Sequence, residues 1–266
     1  MVGMGMIGAS VAMALRSRFE RISIVEPDDG HAAHALSAGQ ADARVAEVPA
    51  TADAVLLACP SDRIAEWVVR LAAHPGLIMD TGSVKGALVA EVREALGTLP
   101  ANWVPCHPIA GLERTGPAVA DADLFRQKKV ILTPGSEAEA NVAQVADWWR
   151  STGAEIEQMD AHEHDRVYAR TSHLPHLLAF AYLLGIEDGD LAHTGGGFRD
   201  FSRIGGSDPV MWSGVFERNR PALLAALDGF EAHLAEFRSA IEAGDMARCR
   251  ALISQARAVR AGEASS

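Results

Sequence analysis

The run from Cys106 to Gly116 puts an imidazole (His107), a carboxylate (Glu113), a proline and two glycines into a short span, directly after the apolar stretch Trp103 to Pro105. Histidine has the unperturbed pKa nearest neutral pH, which suits it to moving protons in either direction. Held by a rigid turn at a strand's end, His107 is a candidate acid or base. Taken alone, the same run reads equally well as a loop with a surface histidine. The elements around it decide between the two.

The first of these elements is Gly3-Met4-Gly5-Met6-Ile7-Gly8, which opens an amphipathic helix to about Arg18, followed by a strand from Arg21 that ends in Glu26. This is GxGxxG entering a helix inside a βαβ unit, with an acid about 20 residues on. The glycines permit a tight turn, close backbone approach to a pyrophosphate and helix-on-strand packing. The helix N-terminus offers N–H groups and positive dipole to phosphates. Gly3, Gly5, Met6, Ile7 and Gly8 are therefore expected to hold a dinucleotide. Glu26 would accept from a ribose 2′-OH and, with Asp28 and Asp29, repel a 2′-phosphate, which favours NAD over NADP. Only Met1 and Val2 precede Gly3, whereas a strand ordinarily runs about five or six residues. Either the strand is abbreviated or the chain as given starts downstream of its natural beginning, and a shortened first strand with weakened cofactor binding is expected.

The alternation continues with apolar runs at Asp53 to Cys59, Leu77 to Asp80, Trp103 to Cys106, Lys129 to Pro134 and Ala154 to Met159, with helical patterns after most of them. Nearly unbroken apolar strands separated by helices indicate a mostly parallel, doubly wound sheet of Rossmann type, covered on both faces. Ligands bind beyond the carboxyl ends of such strands. The loops at Cys59-Pro60-Ser61, at Asp80 to Lys85 (which carries Ser83) and at His107 to Glu113 should thus converge on the cofactor. After Asp160 only helical periodicity remains, at Ala161 to Leu184, Pro209 to Ala243 and Asp245 to Arg260. The expected organisation is an α/β dinucleotide-binding domain over 1–160 and an all-helical domain over 161–266.

Composition narrows the partners. The net charge of −11 weighs against nucleic acid or an anionic membrane surface, and an anionic substrate would need locally placed cations. No apolar run approaches the roughly 20 residues that span a bilayer, and nothing resembles a secretory leader. Three widely spaced cysteines (Cys59, Cys106, Cys249) suit a reducing compartment. A cytoplasmic protein is expected.

Three groups in the helical half carry further chemistry. His162-Glu163-His164-Asp165 with Ser172-His173-Leu174-Pro175-His176 is dense in imidazole, but no HExxH or cysteine partner supports a metal, and the histidines are expected to cap helices or line a cleft. Gly195-Gly196-Gly197-Phe198-Arg199-Asp200-Phe201-Ser202-Arg203 places two guanidiniums four residues apart, on one face of a helix. Asp208-Pro209-Val210-Met211-Trp212 starts a helix with an aromatic.

Taken together, HPIAGLE at His107, DTGSVK at Asp80 to Lys85, SHLPH at Ser172 to His176, and GGGFRDFSRI leading to DPVMW resemble the prephenate and arogenate dehydrogenases of tyrosine biosynthesis, over nearly the whole chain and in the expected order. The resemblance implies oxidation of a cyclohexadienol at C4, with hydride passing to NAD while CO2 leaves and the ring becomes aromatic. By motif match His107 would accept the C4 hydroxyl proton, with Ser83 beside it. Arg203 would bind a substrate carboxylate, and Glu113, His176, Arg199, Asp200 and Trp212 would line or gate the pocket. The family's helical domain also forms a homodimer. The substrate side chain, pyruvyl in prephenate or amino acid in arogenate, is left open, with prephenate favoured. A β-hydroxyacid dehydrogenase would use a lysine in the helical half, and no lysine follows Lys129. The other reading is a non-catalytic NAD-binding sensor, against which His107, Ser83 and Arg203 all speak.

Overall fold

In a computed structural model that describes residues 1–111 and 114–262, the chain divides into two units, Met1–Arg220 and Pro221–Ser266. In the first, α1 (Met6–Ala14), β1 (Ser23–Ile24), α2 (Asp29–Ser37), β2 (Ala43–Arg44), β3 (Ala54–Leu57), α3 (Ser61–Arg70), β4 (Leu77–Asp80), α4 (Gly86–Leu96) and β5 (Trp103–Val104) alternate along the chain. The residues ahead of the glycine loop pair as a strand. Val2 bridges in parallel to Val25 on one side and Leu57 on the other. The Val25 and Gly3 N–H groups pair with the Met1 and Val25 carbonyls, and Val2 and Ala58 pair with Leu56 and Val2. Met1–Gly3 thus occupies the central slot between β1 and β3, and β4 and β5 continue the parallel order outward.

Alternation along these strands sends side chains to two cores. Val2, Val55, Leu57, Ile78 and Trp103 pack with Ile64 and Val68 of α3 and Leu88 and Val92 of α4. Leu56, Met79 and Val104 pack on the opposite side with Val11 and Leu15, and with α5 (Glu139–Ser151) through Val145 and Trp149. Burying each such aliphatic side chain contributes about 1.5–3 kcal/mol, so the sheet is held from both faces.

At Pro105 the chain turns into a second sheet. β6 (Cys106–Pro108) pairs antiparallel with β7 (Lys129–Leu132), which pairs in parallel with β8 (Glu155–Gln158). The sequence suggested one strand from Trp103 and a turn at His107. Instead His107 lies within a strand, opposite Ile131, although past the carboxyl end of β5.

From residue 161 the described residues are helical: α6 (Ala161–Tyr168), a π-helical turn at Ala169–His173, α7 (Leu174–Leu183), α8 (Gly196–Ser202) and α9 (Pro209–Arg218). Asp160 and Asp208 start α6 and α9 by accepting from backbone N–H groups of the first turn. The periodicity from Pro209 to Ala243 suggested one helix, but it breaks at Asn219, which caps α9. The second unit is a pair of helices, α10 (Arg220–Glu242) and α11 (Met246–Ala261). Gly244 turns the chain between them at φ +66°, and Arg248 pairs with Glu236 across the turn. Leu234, Ile241, Ile253 and Val259 are exposed apolar side chains of this unit. No helix among the described residues is long and apolar enough to cross a membrane.

Candidate active site

The glycine loop has the form an anionic dinucleotide requires. Gly3 has φ +88°, and a Cβ there would lie 2.5 Å from the Ala58 carbonyl oxygen; one on Gly8 would lie 2.4 Å from that of Gly3. These two glycines let the loop, the helix and β3 close on one another. Around Gly5, by contrast, nothing lies within 4 Å of a Cβ position, leaving room for another backbone or a phosphate. Gly5 is the N-cap of α1, and no side chain caps the helix, so its first N–H groups face that space. Glu26 is buried, its two carboxylate oxygens accepting from Met4 N–H at 2.6 Å and Asp28 N–H at 2.9 Å. It ties the glycine loop to the end of β1, and a ribose hydroxyl would use its remaining lone pairs. Beside Gly3 run Ala58 and Cys59, followed by Pro60, the N-cap of α3, and Ser61, its first residue. Burial pushes the Cys59 thiol up to about 12, so it stays protonated.

The loop after β4 is anchored by a buried ion pair. Lys85 and Asp80 are both fully buried and paired. Asp80 also accepts from Gly82 N–H at 2.8 Å and from the Trp103 indole at 3.2 Å. Ser83 stands on this loop, partly exposed, and its neighbour Val84 packs against Trp212 and Val215 of α9. The Lys85 ammonium reaches on to the Cys106 carbonyl at 2.6 Å, joining the Ser83 loop to the strand of His107.

His107 is partly exposed, and its Nδ1 lies 2.8 Å from His164 Nε2. His164 is completely buried, with its Nδ1 2.8 Å from Asp165 Oδ1. Asp165 also accepts from the backbone N–H groups of Lys85 (2.9 Å) and Gly86 (2.7 Å). Tyr168 packs on both rings, with centroids at 5.1 Å from His107 and 4.5 Å from His164. Burial holds the His107 imidazole well below the ordinary histidine range, and the neighbouring His164, Lys85 and His173 add to the effect. At neutral pH His107 is therefore uncharged and able to accept a proton.

A second set of rings follows on. The Asn219 side-chain amide donates to the Asp165 carbonyl at 2.9 Å and meets His173 Nδ1 at 3.0 Å. Burial lowers His173 to about 4. His173 meets Trp212 edge-on at 6.0 Å, and His176 stacks on Trp212 at 3.6 Å. His176 Nδ1 lies 2.8 Å from the Ser172 carbonyl, and its pKa is lowered first by burial and also by the charge of Arg203.

The structure thus gathers His107, the Ser83 loop, His176 and Trp212 along one connected network, with Arg203 electrostatically coupled to His176. Arg199 and Asp200 are exposed on α8, and Arg203 follows as its C-cap, where a 3-10 turn begins. Glu113 lies outside the described residues. Sequence reasoning gives no individual role to Asp80, Lys85, His164 or Asp165 and does not reach Tyr168 or Asn219. The imidazole density around His164 is expected from sequence to cap helices or line a cleft, with no sign that His164 stands behind His107. Among the described residues no group of three or more His, Cys, Asp or Glu is placed to hold a metal ion.

Comparison with known proteins adds a family. The prephenate dehydrogenase nucleotide-binding domain matches residues 11–158, and the prephenate dehydrogenase dimerization domain matches residues 160–255. A cyclohexadienyl dehydrogenase of Zymomonas mobilis is 36% identical over 264 residues, covering 92% of this chain and 88% of the relative. The crystal structure of prephenate dehydrogenase from Aquifex aeolicus, in complex with hydroxyphenyl propionate and NAD+, superposes with a TM-score of 0.88 at 30% identity, covering 98% of this chain and 96% of that one. A Synechocystis arogenate dehydrogenase superposes with a TM-score of 0.82 at 26% identity, covering 98% of both chains.

Proposed function

The chain belongs to the prephenate dehydrogenase family, and from that premise we propose that it converts prephenate to 4-hydroxyphenylpyruvate by NAD-dependent oxidative decarboxylation, in tyrosine biosynthesis. The observation that carries this reading is a partly exposed His107 fixed at 2.8 Å on a buried imidazole and joined through Lys85 to the Ser83 loop. We assign residues 1–160 to cofactor binding and 161–266 to substrate binding and homodimer formation, in a cytoplasmic enzyme.

NAD, held by Gly3, Gly5, Met6, Ile7, Gly8, Glu26 and the Cys59-Pro60-Ser61 turn, supplies the hydride acceptor. The protein's own part is to orient the ring and remove one proton. His107 accepts the proton of the C4 hydroxyl, with Ser83 hydrogen-bonding the same oxygen. As C4 becomes a carbonyl carbon, the ring carboxylate leaves as CO2, its bonding electrons complete the aromatic ring and push the C4 carbonyl pair onto oxygen, and the phenolate takes a proton back from His107. Aromatisation supplies the driving force, so positioning carries most of the catalytic burden. Arg203 binds a substrate carboxylate, supplying the local cation that a chain of net charge −11 requires. The His176–Trp212 stack forms a wall of the pocket, and Arg199 and Asp200 gate or line it.

A second reading, use of arogenate as well, is favoured by the likeness to the Zymomonas cyclohexadienyl enzyme. Measuring NADH formation with each substrate at saturating NAD tests both. Turnover of prephenate is expected, kcat/KM for the two substrates ranks them, and no turnover of either overturns the enzyme reading.

A further inference from the structure

Behind His107 stand two buried residues: His164, with no exposed surface, and Asp165, 7% exposed. Asp165 lies on α6 but caps another helix. α4 has no side-chain cap of its own, and the Asp165 carboxylate accepts from Lys85 and Gly86 N–H, the first donors of that helix. The approach depends on Gly86, where a Cβ would lie 2.7 Å from Asp165 Oδ2. Both carboxylate oxygens thus accept backbone N–H bonds, an arrangement that suits an anion at a helix N-terminus.

An ionised carboxylate only accepts hydrogen bonds. His164 Nδ1, at 2.8 Å from it, must carry a proton. With His164 neutral, its Nε2 is an acceptor, and the atom facing it at 2.8 Å, His107 Nδ1, must be the donor. The opposite arrangement would set a bare nitrogen against a carboxylate. We propose that the His164–Asp165 pair is the positioning unit of the site: it holds the proton of His107 on Nδ1, leaves Nε2 as the proton-accepting atom, and takes over the proton that His107 gains. In that transfer, Nε2 of His107 binds the substrate proton while its Nδ1 proton passes to His164 Nε2. His107 ends neutral, and the positive charge rests on His164 beside Asp165. The charged or titratable groups facing the two rings are Lys85, His173 and Tyr168 for His107, and Lys85, Asp80, Asp165 and Tyr168 for His164. Tyr168, raised to about 12 by burial, stays neutral.

The catalytic half of this proposal rests on the functional reading above; the tautomer does not. Nitrogen NMR of protein labelled at histidine, without substrate, reads the protonation of each His107 nitrogen. A proton on Nδ1 is expected in the wild type, and a proton on Nε2 overturns the proposal. His164→Phe should lose that preference and lower kcat about 10- to 100-fold, the range for removing the partner that orients a functional imidazole. His164→Gln, whose amide oxygen can still accept from Nδ1, should keep the tautomer and recover part of kcat. In both variants the acid limb of kcat/KM should move to lower pH, because the group that shared the proton beside Asp165 is gone. An unmoved limb in His164→Gln, the variant that keeps the ring in place, overturns the transfer. If the wild type forms no NADH with either substrate, the functional reading and the transfer fall together, and the nitrogen spectrum still decides the positioning.

Discussion

The ammonium of Lys85 donates to the carbonyl oxygen of Cys106 at 2.6 Å, the residue directly before His107. The same ammonium is paired with Asp80, and the backbone N–H of Lys85 is held by Asp165. One side chain thus sets the distance between the Ser83 loop and the strand of the proposed base. Its charge is used inside the protein, with no exposed surface.

Lys85→Met should therefore be costly. It leaves the Asp80 carboxylate buried without its cation, and breaking one side of a buried pair typically costs about 3–5 kcal/mol. Urea denaturation measures the loss. Lys85→Met combined with Asp80→Asn should recover a large part of it, since the stranded charge is then removed.

Gly3 and Gly5 should respond differently to alanine. Gly3→Ala places a Cβ 2.5 Å from the Ala58 carbonyl oxygen at φ +88°, and backbone strain of that kind costs about 1–3 kcal/mol before any clash. Gly5→Ala meets no atom within 4 Å and should leave the melting temperature unchanged. Its effect should appear in NAD affinity by calorimetry, because the methyl fills the space that the cofactor phosphates require.

His107→Asn should lower kcat by about 10²–10⁴, the usual contribution of a general base, with NAD affinity retained. Arg203→Ala should instead raise KM with a smaller change in kcat, since it removes binding and leaves the proton acceptor intact. Steady-state kinetics with prephenate separates the two. A near-normal kcat for His107→Asn would reassign the base.

Stability should fall on acidification below about pH 6.5. Burial lowers His107, His164 and His173, the last to about 4. The unfolded chain titrates near 6.5, so between that value and the folded one the unfolded state binds more protons, and stability declines as pH falls. For His173, 2% exposed, the full loss is on the order of 3 kcal/mol. Chemical denaturation at pH 7 and pH 5 checks the sign, and His173→Asn should flatten the slope.

Much of this protein was legible in its residues. Gly3, Gly5 and Gly8 specify their turn because φ, ψ and the absence of a Cβ are properties of single residues. The nearly unbroken apolar runs specify a sheet covered on both faces because successive side chains point to opposite faces. The motifs around His107, Ser83, His176 and Arg203 point to the family on their own. The structure decided what lies between distant residues. No local pattern announces that the chain turns at Pro105 and sets His107 in an antiparallel strand opposite Ile131. Nor could spacing show that His164, 57 residues on, backs that ring, with its neighbour Asp165 capping α4. In sequence that imidazole is expected only to cap a helix or line a cleft, because residue type alone does not say which way it faces. That follows only once α6 packs beside α4 and β6. There burial strips away water, and each buried donor must find an acceptor within the protein.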